Sequence, residues 1–259
     1  TRYVAGMTHE LRTPLTSILG YAQILLKNSD ISVWVRETIA TMQRSGQHMH
    51  TLIDGSLDLA RIEAGRLRLD PVPLPLGQLL EDVERMIRPQ AEAKGLTFTV
   101  HRQGELPAWV RADAKRLRQI LINLLSNAVR FTDEGEVTLK LDFRQQVARI
   151  DVVDTGIGIA AQDQKRIFLP FERGSAGRRA RDSGTGLGLT ITHLLTDMMG
   201  GELLLKSRPG HGSTFSLRLY LPPIPSDPKH PLPIPSTLRA VTGYLGERRT
   251  VLVVDDQPL

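Results

Sequence analysis

Asn123-Leu124-Leu125-Ser126-Asn127-Ala128-Val129-Arg130-Phe131-Thr132 closes a strongly periodic helical segment that begins near Ala114, with Asp113 placed to cap it. Asn123 and Asn127 are four residues apart, so both amides share one helix face, and Arg130 lies on nearly the same side. Asn is a mediocre helix former, and two on one face of an otherwise apolar helix need a reason. Side-chain carbonyls suit a hard cation such as Mg²⁺, and a guanidinium suits phosphate. The plainer alternative is that the amides satisfy neighbouring backbone groups.

Two glycine-bearing segments follow it. Asp154-Thr155-Gly156-Ile157-Gly158-Ile159 comes directly after the apolar run Ile150-Asp151-Val152-Val153. A carboxylate at a strand end followed by two glycines allows close approach of a planar ligand whose exocyclic amine the carboxylate accepts. A simple glycine turn would look the same. Gly184-Thr185-Gly186-Leu187-Gly188-Leu189 opens a helix, and free backbone N–H groups at a helix N-terminus cradle anions. The spacing is G-x-G-x-G, preceded by a polar, Arg-dense run in place of a strand, so the dinucleotide fingerprint fails on context. No Walker phosphate loop is present.

Outward from these segments, Leu67–Leu69 is a short alternating run, followed by helix-breaking Pro71, Pro73 and Pro75. A helix is predicted from about Leu76 to Lys94, ending at Gly95, and a strand over 96–101. After the Asn-bearing helix come strands at 136–143 and 147–153, with Gln145-Gln146 at the turn. A loop-rich region then runs to about Ser183, a helix covers 186–199, and strands lie at 201–207 and 213–220. Mixed helices and strands of this kind predict an α+β sandwich, with helices on one face of a mixed sheet.

The first 65 residues read differently. Leu11, Leu15, Ile18, Ala22 and Leu25 recur at helical spacing through residues 1–27. A second helix is predicted from about Val33 to Ala64, with Val35, Ile39, Met42, Met49, Ile53, Leu57 and Ala60 on its apolar side and Gly65 as C-cap. Two long helices joined at 28–32 form an antiparallel hairpin that cannot bury both stripes alone; a dimeric four-helix bundle would. His9 lies about 200° around from the first stripe, on the wet face. Thr13 is one turn below His9 and Glu10 beside it, and Pro14 predicts a bend nearby. Such a group is either a nucleophile with its supports or ordinary surface.

Composition narrows the classes. The chain has 259 residues and no cysteine, which excludes disulfides and thiolate chemistry and fits a reducing compartment. Its net charge of +5 could suggest nucleic acid, but a basic balance this small is more often a solvated surface or one that meets anionic ligands. There is no run of about 18 apolar residues and no visible signal peptide. Residues 221–236 are proline-rich and read as a semi-rigid spacer in preference to an SH3-type ligand. Thr250–Asp256 reads as a first strand ending in two carboxylates. Both ends look cut, as though a longer protein continues beyond them.

Taken together the segments resemble the core of a bacterial hybrid sensor histidine kinase. Met7–Leu15 is similar to its phosphoacceptor H box, and Leu59–Gly65 to the end of its dimerisation hairpin. Asn123–Thr132 resembles the N box, Asp154–Ile159 the first G box, Phe168-Leu169-Pro170-Phe171-Glu172-Arg173 the F box, and Gly184–Leu189 the second G box. Gly210–Phe215 resembles the glycine motif of the last hairpin and Val251–Asp256 the opening of a receiver domain.

The resemblance implies a dimerising phosphoacceptor hairpin at 1–65 and an ATP-binding domain of the histidine kinase, chaperone and topoisomerase type at 66–221. A proline-rich linker would follow at 222–249, and the start of a receiver domain at 250–259. It implies ATP with its adenine amine on Asp154 beside Gly156 and Gly158, and its ring near Phe131. Mg²⁺ would be held by Asn127 with Asn123 nearby, and phosphate contacted by Arg130, which stands where the family often has Lys. Gly184, Thr185, Gly186, Leu187 and Gly188 would cradle phosphate oxygens beneath a lid over roughly 172–185 that carries Arg173. His9 would take the γ-phosphoryl group, Glu10 would orient its ring, and Thr13 would serve a reverse phosphatase reaction. His48, His50 and His193 carry no such motif and read as surface or packing.

Implied partners are a second copy, a receiver domain in cis, and a separate response regulator or histidine phosphotransfer protein. The residues would form the cytoplasmic portion of a protein anchored, where it is anchored at all, in the inner membrane. The alternatives are an ATP-binding dimeric scaffold or phosphatase-biased kinase without autokinase turnover, and an ATPase of the related fold with a Glu base. Asn123 stands where that Glu would be expected.

Overall fold

The computed structural model describes residues 2–26, 31–172, 174 and 185–224, with the side chains of 2–13 outside the description. Helix α1 spans Arg2–Leu26 and runs on through Pro14; α2 spans Val33–Glu63. Ser32 caps α2, its hydroxyl accepting from the Val35 N–H at 3.4 Å. The helix ends at Gly65, which takes φ 62° while the N–H of Arg66 returns to the Arg61 carbonyl at 2.8 Å. The two helices meet where Gly46 leaves no room for a side chain: a Cβ there would lie 2.8 Å from Leu19 Cδ2 and 3.5 Å from Leu15 Cδ1. Leu15, Ala22, Ile39 and Leu57 are buried, as their spacing predicts, but Ile18, Leu25, Met42 and Met49 are exposed. One chain therefore covers only part of the predicted stripe.

Residues 72–221 form a sheet covered on one face by helices. Strands β2 (Thr97–Gln103), β4 (Glu136–Arg144), β5 (Val147–Asp154), β7 (Ser213–Tyr220) and β6 (Glu202–Ser207) lie in the order β2-β4-β5-β7-β6. β2 and β4 are parallel, and the other neighbours antiparallel. Period-two alternation turns Val137, Leu139 and Leu141, Ile150 and Val152, and Phe215, Leu217 and Leu219 to one face. Helices α3 (Leu76–Ala93), α4 (Ala114–Phe131) and α5 (Gly188–Met198) set their apolar stripes on that face, with Leu79, Leu80, Ile120, Leu121, Leu124 and Leu195 all essentially inaccessible. Each such side chain contributes about 1.5–3 kcal/mol of burial. Asp113 caps α4, accepting from the Arg116 N–H at 3.0 Å while its other oxygen accepts from the Asp70 N–H.

Two strands went unforeseen. β1 (Val72–Pro75) pairs antiparallel with β3 (Trp109–Ala112) as a separate ribbon. Pro73 and Pro75 suit such an edge, because a proline gives up a donor that no neighbouring strand needs. The proline-rich run is anchored where it begins: Pro222 accepts from the Arg111 N–H at 3.1 Å and Ile224 donates to the Trp109 carbonyl at 3.0 Å. The remainder of that run and residues 250–256 lie outside the described residues. Among the described residues no helix is long and apolar enough to cross a membrane.

The hairpin and the sheet domain touch along one side of α2. A Cβ on Gly55 would sit 3.1 Å from Leu187 Cδ1 and 3.3 Å from Ile191 Cδ1. One turn on, Asp58 accepts from Arg116 Nη1 and from Gln119 Nε2, each at 3.0 Å. Both members of this ion pair are largely buried, with side-chain exposures of 10% and 16%.

Candidate active site

The ends of α4, β5 and α5 converge on an open cleft of about 1160 Å³. Its floor is built by β5. Asp154, the last residue of that strand, is 6% exposed, and its Oδ1 accepts from the N–H groups of Gly156 at 2.9 Å and Ser213 at 3.2 Å. Burial pushes the Asp154 carboxyl above the ordinary carboxylate value, against the opposing pull of the Gly156 and Ser213 hydrogen bonds. A buried, cleft-lining carboxylate of this kind favours a ligand that brings its own N–H donor.

The turn after Asp154 leaves no choice of residue. A Cβ on Gly156 would lie 2.2 Å from the Phe131 carbonyl oxygen, and one on Gly158, at φ 66°, 2.1 Å from that of Arg208. Close approach of three backbones is thus bought with glycine. The Ile157 N–H donates to the Phe131 carbonyl at 3.1 Å, which ties the turn to the end of α4. Phe131 and Arg130 line the cleft there.

The two asparagines of α4 part company. Asn123 donates from Nδ2 to the Gly188 carbonyl and to Thr192 Oγ1, both at 3.3 Å. It is a strut between α4 and the start of α5, which is the plainer of its two readings. Asn127 lines the cleft and makes no side-chain hydrogen bond among the described residues. Its carbonyl is therefore open to a cation in the cleft.

Helix α5 starts at Gly188, two residues later than its predicted start. Thr185 Oγ1 accepts from the Leu187 N–H at 3.3 Å, and Thr185, Gly186 and Gly188 line the cleft. Leu187 is 1% exposed and packs on Gly55 of α2, so only its backbone is available to a ligand. The helix N-terminus adds positive potential to this end of the cleft.

His9, Glu10 and Thr13 belong to α1, and their side chains lie outside the described residues; Arg173 and Gly184 lie outside them altogether. His48 and His50, which carry no motif, are half-buried on the surface of α2 and line the cleft from that side. His50 Nδ1 lies 3.0 Å from Asp54 Oδ2. No motif marks them, because only the docking of α2 against the sheet domain brings them there. His193, on the other hand, packs edge-on against Phe168. Among the described residues no group of three or more His, Cys, Asp or Glu side chains is placed to hold a metal. A cation here would need to bring most of its oxygens with it, as Mg²⁺ bound to phosphates does.

Residues 1–65 match the family described as the His Kinase A (phospho-acceptor) domain. Residues 112–223 match the family described as Histidine kinase-, DNA gyrase B-, and HSP90-like ATPase. The chain is 35% identical over 226 residues to the signal transduction histidine-protein kinase BarA of Escherichia coli, covering 85% of this chain and 24% of that one. It is 38% identical over 240 residues to the sensor protein GacS of Pseudomonas syringae, covering 91% of this chain and 26% of that one. The chain thus spans about a quarter of the length of these curated relatives. Full-length ShkA, crystallised in complex with AMPPNP, superposes with a TM-score of 0.72 at 33% identity, covering 87% of this chain and 47% of ShkA.

Proposed function

The chain belongs to the bacterial hybrid histidine kinases, and from that premise we propose that it is an ATP-dependent autokinase which phosphorylates His9 and passes the phosphoryl group to a receiver-domain aspartate. The observation that carries this reading is Asp154: a buried carboxylate at a strand end, with glycine backbones packed against it, in a cleft large enough for a nucleotide. That ShkA was crystallised with AMPPNP, an ATP analogue, supports the same ligand here.

In this reading Asp154 accepts the adenine amine, Gly156 and Gly158 admit the ring, and Phe131 covers it. Arg130 and the backbone N–H groups of Gly184, Thr185, Gly186, Leu187 and Gly188 hold the phosphates, and Arg173 is a further cation assigned to them. Asn127 is the residue to hold Mg²⁺, whose chemistry when bound is to offset phosphate charge. Asn123 acts at one remove, by fixing the start of α5. Catalysis is then mostly positioning and charge neutralisation.

The neutral ring nitrogen of His9 attacks the γ-phosphorus; an N–P bond forms, the bond to the β,γ-bridging oxygen breaks, and ADP leaves. Glu10 holds the other ring nitrogen and so fixes the reactive tautomer. Thr13 is placed one turn away to hold a water for the reverse hydrolysis. Helix register supports the approach of donor and acceptor. Leu15 and Leu19 flank Gly46, so antiparallel counting sets position 9 alongside about Asp54–Gly55, the level at which Leu187 meets α2.

The exposed apolar face of the hairpin supports a homodimer built as a four-helix bundle. The domain limits 1–65, 66–221, 222–249 and 250–259 remain our assignment. Transfer would run to the receiver domain that opens near Val251, or to a separate response regulator or histidine phosphotransfer protein, on the cytoplasmic side where ATP is found. The test is His9→Gln in the purified chain with Mg-ATP labelled at the γ position. Nucleotide binding should persist within about twofold while protein labelling disappears; undiminished labelling would refute His9 as acceptor.

A further inference from the structure

An α-helix ends with four carbonyls that have no partner within the helix. At the end of α4 every one of them is met from elsewhere. The Ala128 carbonyl accepts the Thr132 hydroxyl at 2.8 Å, and the Phe131 carbonyl accepts the Ile157 N–H. The other two, Val129 and Arg130, accept Lys94 Nζ at 3.0 and 2.9 Å, and the same ammonium also reaches the Thr132 carbonyl at 3.0 Å. No glycine closes this helix. Its cap is a lysine from the end of α3, some 35 residues earlier in the chain.

The cap is itself held in place. Lys94 is the C-cap residue of α3, and Gly95 follows at φ 74°. The Leu96 N–H returns to the Ala91 carbonyl at 3.0 Å. An ammonium carries three N–H donors in a compact tetrahedral array, and here three carbonyls converge on it. Lys94 also lines the cleft, beside Val129, Arg130 and Phe131. With all three protons committed to carbonyls, it has none left for a phosphate oxygen.

We infer that Lys94 is a positioning residue for nucleotide binding: it caps the C-terminus of α4 and thereby fixes Asn127, Arg130 and Phe131 against the Asp154 turn. Two effects follow. A helix C-terminus carries roughly half a negative charge, and Lys94, whose ammonium also lies 3.6 Å from the exposed Asp133 carboxylate, offsets part of it where an anionic ligand must enter. The Phe131 carbonyl, held at its register by the capped neighbours, also receives Ile157. The phosphate-facing and base-facing halves of the cleft are therefore set relative to each other through one cap. This rests on the nucleotide reading of the cleft.

The test uses the whole 259-residue chain and measures autophosphorylation against ATP concentration for the unsubstituted protein, Lys94→Met and Lys94→Arg. Lys94→Met should raise KM for ATP about tenfold with kcat within about twofold. Lys94→Arg, whose planar fork keeps the charge but not the three-way geometry, should recover part of the loss. A KM unchanged within twofold in Lys94→Met overturns the inference. So does a parallel fall of kcat and of the melting temperature with KM unmoved, which marks a role in stability alone. Should Lys94→Met fail to fold, Lys94→Gln, which retains two N–H donors, carries the test: a threefold or greater rise in KM supports the inference and an unchanged KM overturns it. If the unsubstituted chain binds no Mg-ATP in a fluorescent-nucleotide displacement assay, the nucleotide reading itself fails, and the inference with it.

Discussion

Asp154 sets its function against stability. Its carboxyl is buried and its ionised form disfavoured by that burial, with the Gly156 and Ser213 amides offsetting only part of the cost. Because the folded-state value is raised, the favourable contribution of this group is complete at low pH, below its unfolded value, and is lost as pH rises through the folded value. Above the unfolded-state value, keeping this carboxyl buried therefore costs stability. Asp154→Asn keeps an oxygen for both amides and removes the charge. Its melting temperature at pH 7 should match or exceed that of the unsubstituted protein, while nucleotide affinity falls at least about tenfold; calorimetric melting and nucleotide titration on one preparation check both. A lower melting temperature with unchanged affinity would contradict the role given to Asp154. Gly156→Ala acts by sterics, since its Cβ would overlap the Phe131 carbonyl oxygen. It should abolish nucleotide binding and cost on the order of 2–4 kcal/mol, read from a denaturation curve. Asp154, Gly156 and Asn127 were legible in the sequence because each is an odd residue in its local context. Lys94 and Ser213 were not: a lysine after an amphipathic helix and a serine at the start of a strand look ordinary until the fold brings them to their partners.

The elements whose pattern is strong came through the sequence almost unchanged. Helices α3 and α4 end at or within about a residue of their predicted limits, since Gly95, Asp113 and long apolar stripes mark them. β5 and β7 alternate cleanly and pair as neighbours. β1 and β3 were missed because four residues carry too little periodicity, and because Pro73 and Pro75 argue against a strand everywhere except at an edge. The docking of α2 against α4 and α5 could not be read either, as it depends on one glycine and one carboxylate. Asp58→Ala would leave Arg116, 10% exposed, without its charged partner, a loss of about 3 kcal/mol. It should lower the melting temperature of the hairpin against the sheet domain and raise proteolytic cleavage near Gly65. An unaltered melting profile and cleavage pattern would show that the pair contributes nothing to docking.

At the scale of the molecule, a long hairpin docks on the sheet domain through α2 and keeps a second apolar face uncovered. Ile18, Tyr21, Ile24 and Met42 are all more than half exposed, which is far too much apolar surface for a helix pair with no partner. Tyr21→Glu combined with Met42→Glu should shift the chain from dimer to monomer in sedimentation; a monomeric unsubstituted chain would refute the bundle. The central claim is that phosphate passes from ATP to a histidine of the hairpin. Its most direct test is the chemistry of the labelled protein after incubation with γ-labelled Mg-ATP. Label that is lost in acid, survives base and maps to the peptide containing His9 is the expected result. Label that survives acid, or that maps outside residues 2–26, would contradict it.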